Sequence, residues 1–475
     1  MTRLLAVLAI AAGMFLEPAL SATKKAAKKP VVKKTSPGAK TAAAKSYAAK
    51  REAARRRLAA RRAYVPKAPV VSAKVKAASA EFVSGAMDAV AAAAVENSAA
   101  LVPFFEQLHQ LENQSGRSLH VLQYGDSHTA SDDWAHQLRT LFQGRFGNGG
   151  AGFSFAGTPF RGYRRYDVKG GQSPRWETEG LLTRGVDGHY GLGGASIVSD
   201  RAGQFIYLDA DGEKIELHYL RQPGGGRFRV LADGQELAVV DTNGPLGPGH
   251  WSSRPGEGLR RYSVETLDDS PVKLFGWVSE KSKGLTWETL GINGAQANIS
   301  LRWENEQLRE YMEKRNPGLL VLAYGTNEAS APDWDMAGYK AMFRQVVERF
   351  RAMAPSASIL IVGPPDRAMR VRRTWTSVPK LDMVAEAQRA VAQETGCAFW
   401  DLRERMGGDG AMKRWVYAGY AQGDFVHLTG QGYRLVGETL YRDLMAHYEE
   451  FRKIRQRVFS EGASNNDNGQ AKENY

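Results

Sequence analysis

Ser118-Leu119-His120-Val121-Leu122-Gln123-Tyr124-Gly125-Asp126-Ser127-His128 is the stretch on which the fold turns. Residues 118–124 form an apolar, β-rich run with a glycine on each side, which predicts a buried strand. The pattern then turns helical from about Asp132 to Phe142. A strand that feeds a helix opens a βα unit. Its junction sets Ser127 at the carboxyl end of a sheet, where helix-start N–H groups can stabilise a developing oxyanion. Taken alone, Gly-Asp-Ser is a common triplet, and Ser127 reads equally well as a helix cap. His128 is a neighbour rather than a base, because adjacent side chains diverge.

The same rhythm returns late in the chain. Leu319–Tyr324, Ser358–Val362 and Cys397–Trp400 read as strands, and Asp335–Met353, Lys380–Thr395 and Gly430–Phe451 as helices. Alternating strands and helices predict an α/β domain with a parallel sheet covered on both faces. A short amphipathic helix at Pro103–Glu112 precedes the first strand. Residues 158–288 differ. Glu213–Leu220 and Arg227–Leu231 alternate apolar with polar, and turns recur at Asp211-Gly212, Asp233-Gly234 and Asn243-Gly244. That spacing predicts an antiparallel β-sandwich inserted into the α/β domain.

Chemistry-bearing residues gather at the predicted strand ends. Gly423-Asp424-Phe425-Val426-His427 lies on a turn before the last helix, so Asp424 can fix the imidazole tautomer while the other ring nitrogen of His427 takes a serine proton. Gly291-Ile292-Asn293-Gly294-Ala295 is a loop able to offer a backbone N–H. Tyr324-Gly325-Thr326-Asn327-Glu328 follows another buried strand and brings Asn327 to the sheet edge that carries Ser127.

In this order the four blocks resemble the SGNH hydrolases, also called the GDSL esterase family. The resemblance covers about 115–157 and 289–450. It implies a three-layer αβα domain with a parallel sheet, Ser127 as nucleophile, His427 as general base and Asp424 as the orienting acid. It also implies an oxyanion hole made of the Ser127 N–H, the Gly294 N–H and the Asn327 amide, with no metal or organic cofactor. Glu328 departs from the Asp often found at its position, an outer place that does not carry the chemistry. Ser127 and Gly294 lie 167 residues apart. A sandwich inserted there looks like the envelope polysaccharide and peptidoglycan O-acetylesterases, in which the insert is similar to a carbohydrate-binding module. The loop Gly149-Gly150-Ala151-Gly152-Phe153 is similar to theirs as well. The resemblance thus implies a serine esterase acting on acetylated envelope glycan. The same residues also suit an O-acetyltransferase, or a glycan-binding protein that keeps the scaffold alone. Tyr163, Tyr166, Trp176, Trp251, Trp277 and Trp287 suit either sugar stacking or the sandwich core.

Charge is unevenly spread over the 475 residues. The formal net charge is +13, yet residues 23–76 hold eighteen Lys and Arg against the single acid Glu52. Residues 77–475 carry 45 basic and 49 acidic side chains, a net −4. The first residues, Met1-Thr2-Arg3 and then an apolar run from Leu4 to Leu16 ending near Ser21-Ala22, describe a secretory signal peptide and imply export to the periplasm or envelope. The boundaries read as a signal at 1–22, a disordered basic linker at 23–100, a hydrolase domain at 101–157 and 289–452, the insert at 158–288 and a disordered tail at 453–475. In an exported protein the linker's natural partners are anionic envelope polymers rather than nucleic acid. Cys397 is the only cysteine, so no intrachain disulfide and no Cys-based zinc site exist.

Overall fold

A computed structural model describes residues 66–88, 94–114, 116–182, 187–254, 256, 258–331 and 335–470, with side chains to residue 458. The expected signal peptide and most of the expected basic linker lie outside the described residues. The α/β sheet has six strands in the order Val95–Glu96, Ala398–Trp400, Ser358–Val362, Leu319–Ala323, Ser118–Gly125 and Gly284–Gly291. All pairs are parallel except the short first one. Both faces are buried, as the near-continuous apolar strands require. Leu119, Val121, Trp287 and Val321 pack under the helices Val102–Asn113, Asp133–Phe146 and Gly430–Gln470. Leu122, Tyr124, Leu290 and Leu322 face the helices Asn305–Arg315, Met336–Met353 and Lys380–Thr395.

The insert is a two-sheet antiparallel sandwich. One sheet runs Gln235–Asp241, Arg227–Ala232, Leu259–Thr266, Phe205–Asp211, Lys169–Gln172; the other runs Gly247–Ser253, Lys214–Arg221, Val272–Glu280, Ala195–Ser199, Glu177–Gly180. Between them lies a core that includes Ile206, Leu217, Phe228, Tyr262 and Trp277. Its outer face is not left to solvent. Phe153, Phe155, Leu192 and Phe275 join the same apolar cluster as Leu122 and Tyr124 of the parallel sheet. Tyr124 donates to the Leu192 carbonyl at 3.0 Å, and the Tyr311 hydroxyl donates to the Gly249 carbonyl at 2.9 Å. A buried ion-pair chain reinforces the seam. Arg315 bridges Glu280 of the insert, at 2.6 Å, and Glu288 of the parallel sheet.

Several expected boundaries move. Gly152–Phe155, assigned to the hydrolase part, pairs with Val272–Glu280 of the insert. Gly284–Gly291, assigned mostly to the insert, is the edge strand of the parallel sheet. The disorder expected through residue 100 fails at its end, because Ala73–Asp88 is a helix that buries Val83 and Met87 in the core. The closing helix likewise runs on through the expected tail to Gln470, and Arg455 pairs with Glu106 at 2.7 Å. Of the insert aromatics, Trp176, Trp277 and Trp287 are buried, Tyr163 and Trp251 pack partly against the cores, and Tyr166 is 48% exposed.

Candidate functional site

Register explains why the site assembles. On the fifth strand of the sheet Gly125 lies opposite Ala323 on one side and Gly291 on the other, so three loops leave the sheet at one level. They begin with Asp126-Ser127, with Ile292-Asn293-Gly294 and with Tyr324-Gly325-Thr326-Asn327. A side chain at Gly125 is excluded, since its Cβ would stand 2.6 Å from the Ala323 carbonyl and 2.2 Å from Thr129 Oγ1. Asp126 then caps a one-turn helix, Ser127–Ala130, by accepting the His128 N–H at 2.9 Å. The cap is therefore Asp126 rather than Ser127, and the serine hydroxyl is left for other work.

That hydroxyl stands 2.9 Å from His427 Nε2, and His427 Nδ1 stands 2.7 Å from Asp424 Oδ2. The other carboxylate oxygen, Asp424 Oδ1, accepts the backbone N–H groups of Val426 and His427, both at 3.0 Å. Burial raises the Asp424 carboxyl, but the bonds from the His427 ring and from the two amides outweigh it and hold it below its ordinary value. The three side chains converge, which the scaffold-only reading requires them not to do. His128 stays beside them as a neighbour. It is buried, its Nδ1 lies 2.9 Å from the Tyr433 hydroxyl, and its ring lies 5.3 Å from that of His427. Burial first, and the cation of a protonated His427 second, push its ionisation far below the ordinary histidine value.

The other two loops are fastened to each other. Asn327 Nδ2 donates to the Ala295 carbonyl at 2.8 Å, leaving its second N–H unused by that bond, and the Ala297 N–H donates to Glu328 Oε1 at 2.8 Å. Gly294 sits between them in the left-handed region, φ +77°, a conformation that suits glycine. Glu328 thus does serve the site, as the buckle that keeps the loop of Gly294 against the loop of Asn327. It is completely buried, and burial pushes its carboxyl up to about 7. A raised value means stability that is full below the ordinary 4.5 and is lost as pH rises through about 7. Buried histidines such as His120 and His128, whose ionisation burial lowers, change stability in the opposite direction with pH, so the check is a difference: the melting temperature of the parent minus that of Glu328→Gln should fall by several degrees between pH 5 and 8. Asp126 acts in the same sense as Glu328, since burial raises it to about 6 against the pull of the His128 N–H and the Thr326 hydroxyl. A difference that does not move with pH would refute this assignment.

Ser127, His427 and Asn293 open on a cleft of about 300 Å³ whose far wall includes Gly162 and Arg164. The Arg164 guanidinium reaches Asp133 Oδ2 at 2.5 Å and the Ser131 carbonyl at 2.9 Å, while Tyr166 donates to Asp133 Oδ1 at 2.8 Å. Sequence reading missed this wall and also Arg367, which donates to the Thr326 carbonyl at 2.8 Å. Neither belongs to a recurring motif, and only the tertiary contacts reveal them.

Residues 249–435 match the GDSL-like Lipase/Acylhydrolase family. A solved structure described as a peptidoglycan O-acetylesterase in action is 27% identical, spans 73% of this chain and 96% of its own, and superposes with a TM-score of 0.63. A family two carbohydrate esterase from Cellvibrio japonicus is 10% identical over 59% of this chain and 98% of its own, with a TM-score of 0.26. No curated protein matches the chain in sequence.

Proposed function

We infer that this chain, an SGNH hydrolase and carbohydrate esterase of the O-acetylesterase subgroup, removes O-acetyl groups from cell-wall glycan after export from the cytoplasm. The observation that carries the reading is the unbroken line from Ser127 Oγ through His427 to Asp424, at 2.9 and 2.7 Å, at the carboxyl edge of a parallel sheet. The 27% identical relative, described as a peptidoglycan O-acetylesterase, supports the choice of substrate.

The geometry supports the following mechanism. His427 Nε2 takes the Ser127 proton as Oγ attacks the acetyl carbonyl carbon. Negative charge moves to the carbonyl oxygen, where the Ser127 and Gly294 N–H groups and the Asn327 amide receive it. The sugar oxygen then leaves with the proton from His427, and acetyl-serine remains. Water, deprotonated by the same imidazole, attacks this ester and releases acetate. The open cleft gives water ready access, which favours hydrolysis over transfer to a second sugar.

Incubation with O-acetylated peptidoglycan should release acetate. Turnover of p-nitrophenyl acetate with no acetate from any acetylated glycan would reject the substrate assignment. Asn327→Ala should lower kcat by about 10²–10³-fold with little change in KM, as loss of one oxyanion donor does elsewhere. A change confined to KM would remove Asn327 from that role.

A further inference from the structure

Beside the His427 loop stands a β-hairpin that the proposed mechanism does not use. Ala368–Val371 pairs with Thr374–Ser377, and Arg372, at φ +54°, makes the tight turn with Arg373. The base of the hairpin is docked on the loop itself. The Ala368 N–H donates to the Phe425 carbonyl at 2.9 Å, and Trp375 stacks on the Phe425 ring at 3.9 Å and 12°. Phe425 lies between Asp424 and His427. Arg367, just before the hairpin, reaches the Thr326 carbonyl next to Asn327. The arm therefore rises from the rim of the acyl-transfer site.

Its chemistry is one-sided. Arg370, Arg372 and Arg373 are exposed, and none makes an ion pair with a described residue. The nearest carboxylate in sequence, Asp366, is buried and committed to Arg403 at 3.1 Å and to the Met412 N–H at 2.8 Å. Met369 and Val371 add exposed apolar surface. In a chain whose residues 77–475 sum to −4, three cations on one hairpin with no ion pair among the described residues mark a place for an anion.

We propose that the hairpin 368–377 is a substrate-holding arm that selects acetylated glycans bearing carboxylates, gripping the strand through Arg370, Arg372 and Arg373 while Ser127 reaches the ester. The inference rests on the esterase reading above and refines its substrate class. A polymer is the fitting occupant, because the arm is anchored to the loop that carries His427 yet contributes no residue to the lining of the cleft, so only an extended chain reaches both.

The test uses the full-length chain and the triple variant Arg370→Gln, Arg372→Gln, Arg373→Gln. Unacetylated polygalacturonate should inhibit p-nitrophenyl acetate turnover by the parent at low salt, and neutral xylan should not. In the triple variant the inhibition constant should rise about tenfold, while uninhibited kcat and KM for p-nitrophenyl acetate stay at parent values. Near 0.2 M salt the parent's advantage should shrink to about twofold or less, because exposed charges are screened over roughly 8 Å. An inhibition constant that ignores the substitutions overturns the proposal. Inhibition by phosphatidylglycerol vesicles that is lost in the variant, with none by polygalacturonate, assigns the arm to a lipid surface and also overturns it. Failure of the esterase reading has a different signature, since acetate would then be released from no glycan while the inhibition pattern persisted.

Discussion

Ser127→Ala is expected to lower kcat for p-nitrophenyl acetate by at least about 10⁴-fold while leaving the melting temperature within a degree or two of the parent. The first part follows from the mechanism. Without Oγ no acyl-enzyme forms, and the residual rate is what oriented oxyanion donors achieve with water, as in other serine hydrolases stripped of their nucleophile. The second part follows from the local structure. The Ser127 hydroxyl touches His427 Nε2, and the helix start is capped by Asp126, so truncation removes neither a cap nor core packing. Undiminished turnover in a folded variant would sink the nucleophile assignment. Collapse of the fold would show instead that the hydroxyl is structural.

Asp424→Asn is expected to cost about 10³–10⁴-fold in kcat, with binding of neutral substrate little changed. The direction of the defect can be read from three hydrogen bonds. Oδ1 is held by two backbone N–H groups, so the oxygen of an introduced amide must take that position. Its NH₂ group then faces His427 Nδ1, where Oδ2 now stands at 2.7 Å. An amide N–H can only donate there, which drives the ring proton to Nε2. A protonated Nε2 points a proton at Ser127 and cannot accept one. The pair of measurements is kcat for the variant and the imidazole tautomer by ¹⁵N NMR. A tautomer unchanged from the parent would show that another group orients the ring.

The site was more legible in sequence than the domain edges. Two of the site loops follow the apolar-rich strands Ser118–Gly125 and Leu319–Ala323, a third piece is an Asp-x-x-His turn, and sheet register does the rest. Gly284–Gly291 escaped recognition as a parallel strand because Thr286 and Glu288 interrupt it, giving the alternation of a half-solvated strand. Both residues are buried nonetheless. Glu288 is held by Arg315 and by the Thr286 hydroxyl at 2.8 Å, so the polar face points into an ionic seam rather than into water. The helix Ala73–Asp88 was hidden for a different reason. Its contacts to the body come from a few residues such as Val83 and Met87, too sparse to stand out in a run of Ala, Ser and Lys. Arg164 and Arg367 carry no local signal at all.

The hydrogen bond between Ser127 and His427 joins residues 300 positions apart. At 5–20 residues per second, a ribosome needs roughly 15–60 s to travel that distance. Throughout that interval the chain holds the proposed nucleophile but not yet the base that would activate it. The strand after the insert must also cross the whole sandwich before it can close the sheet, a pairing of high contact order that folds slowly. The ordering of parts along the chain therefore works as a timer. Under the proposed mechanism, hydrolytic capacity arises only after His427 has been made, and a chain truncated before that residue carries an inert serine.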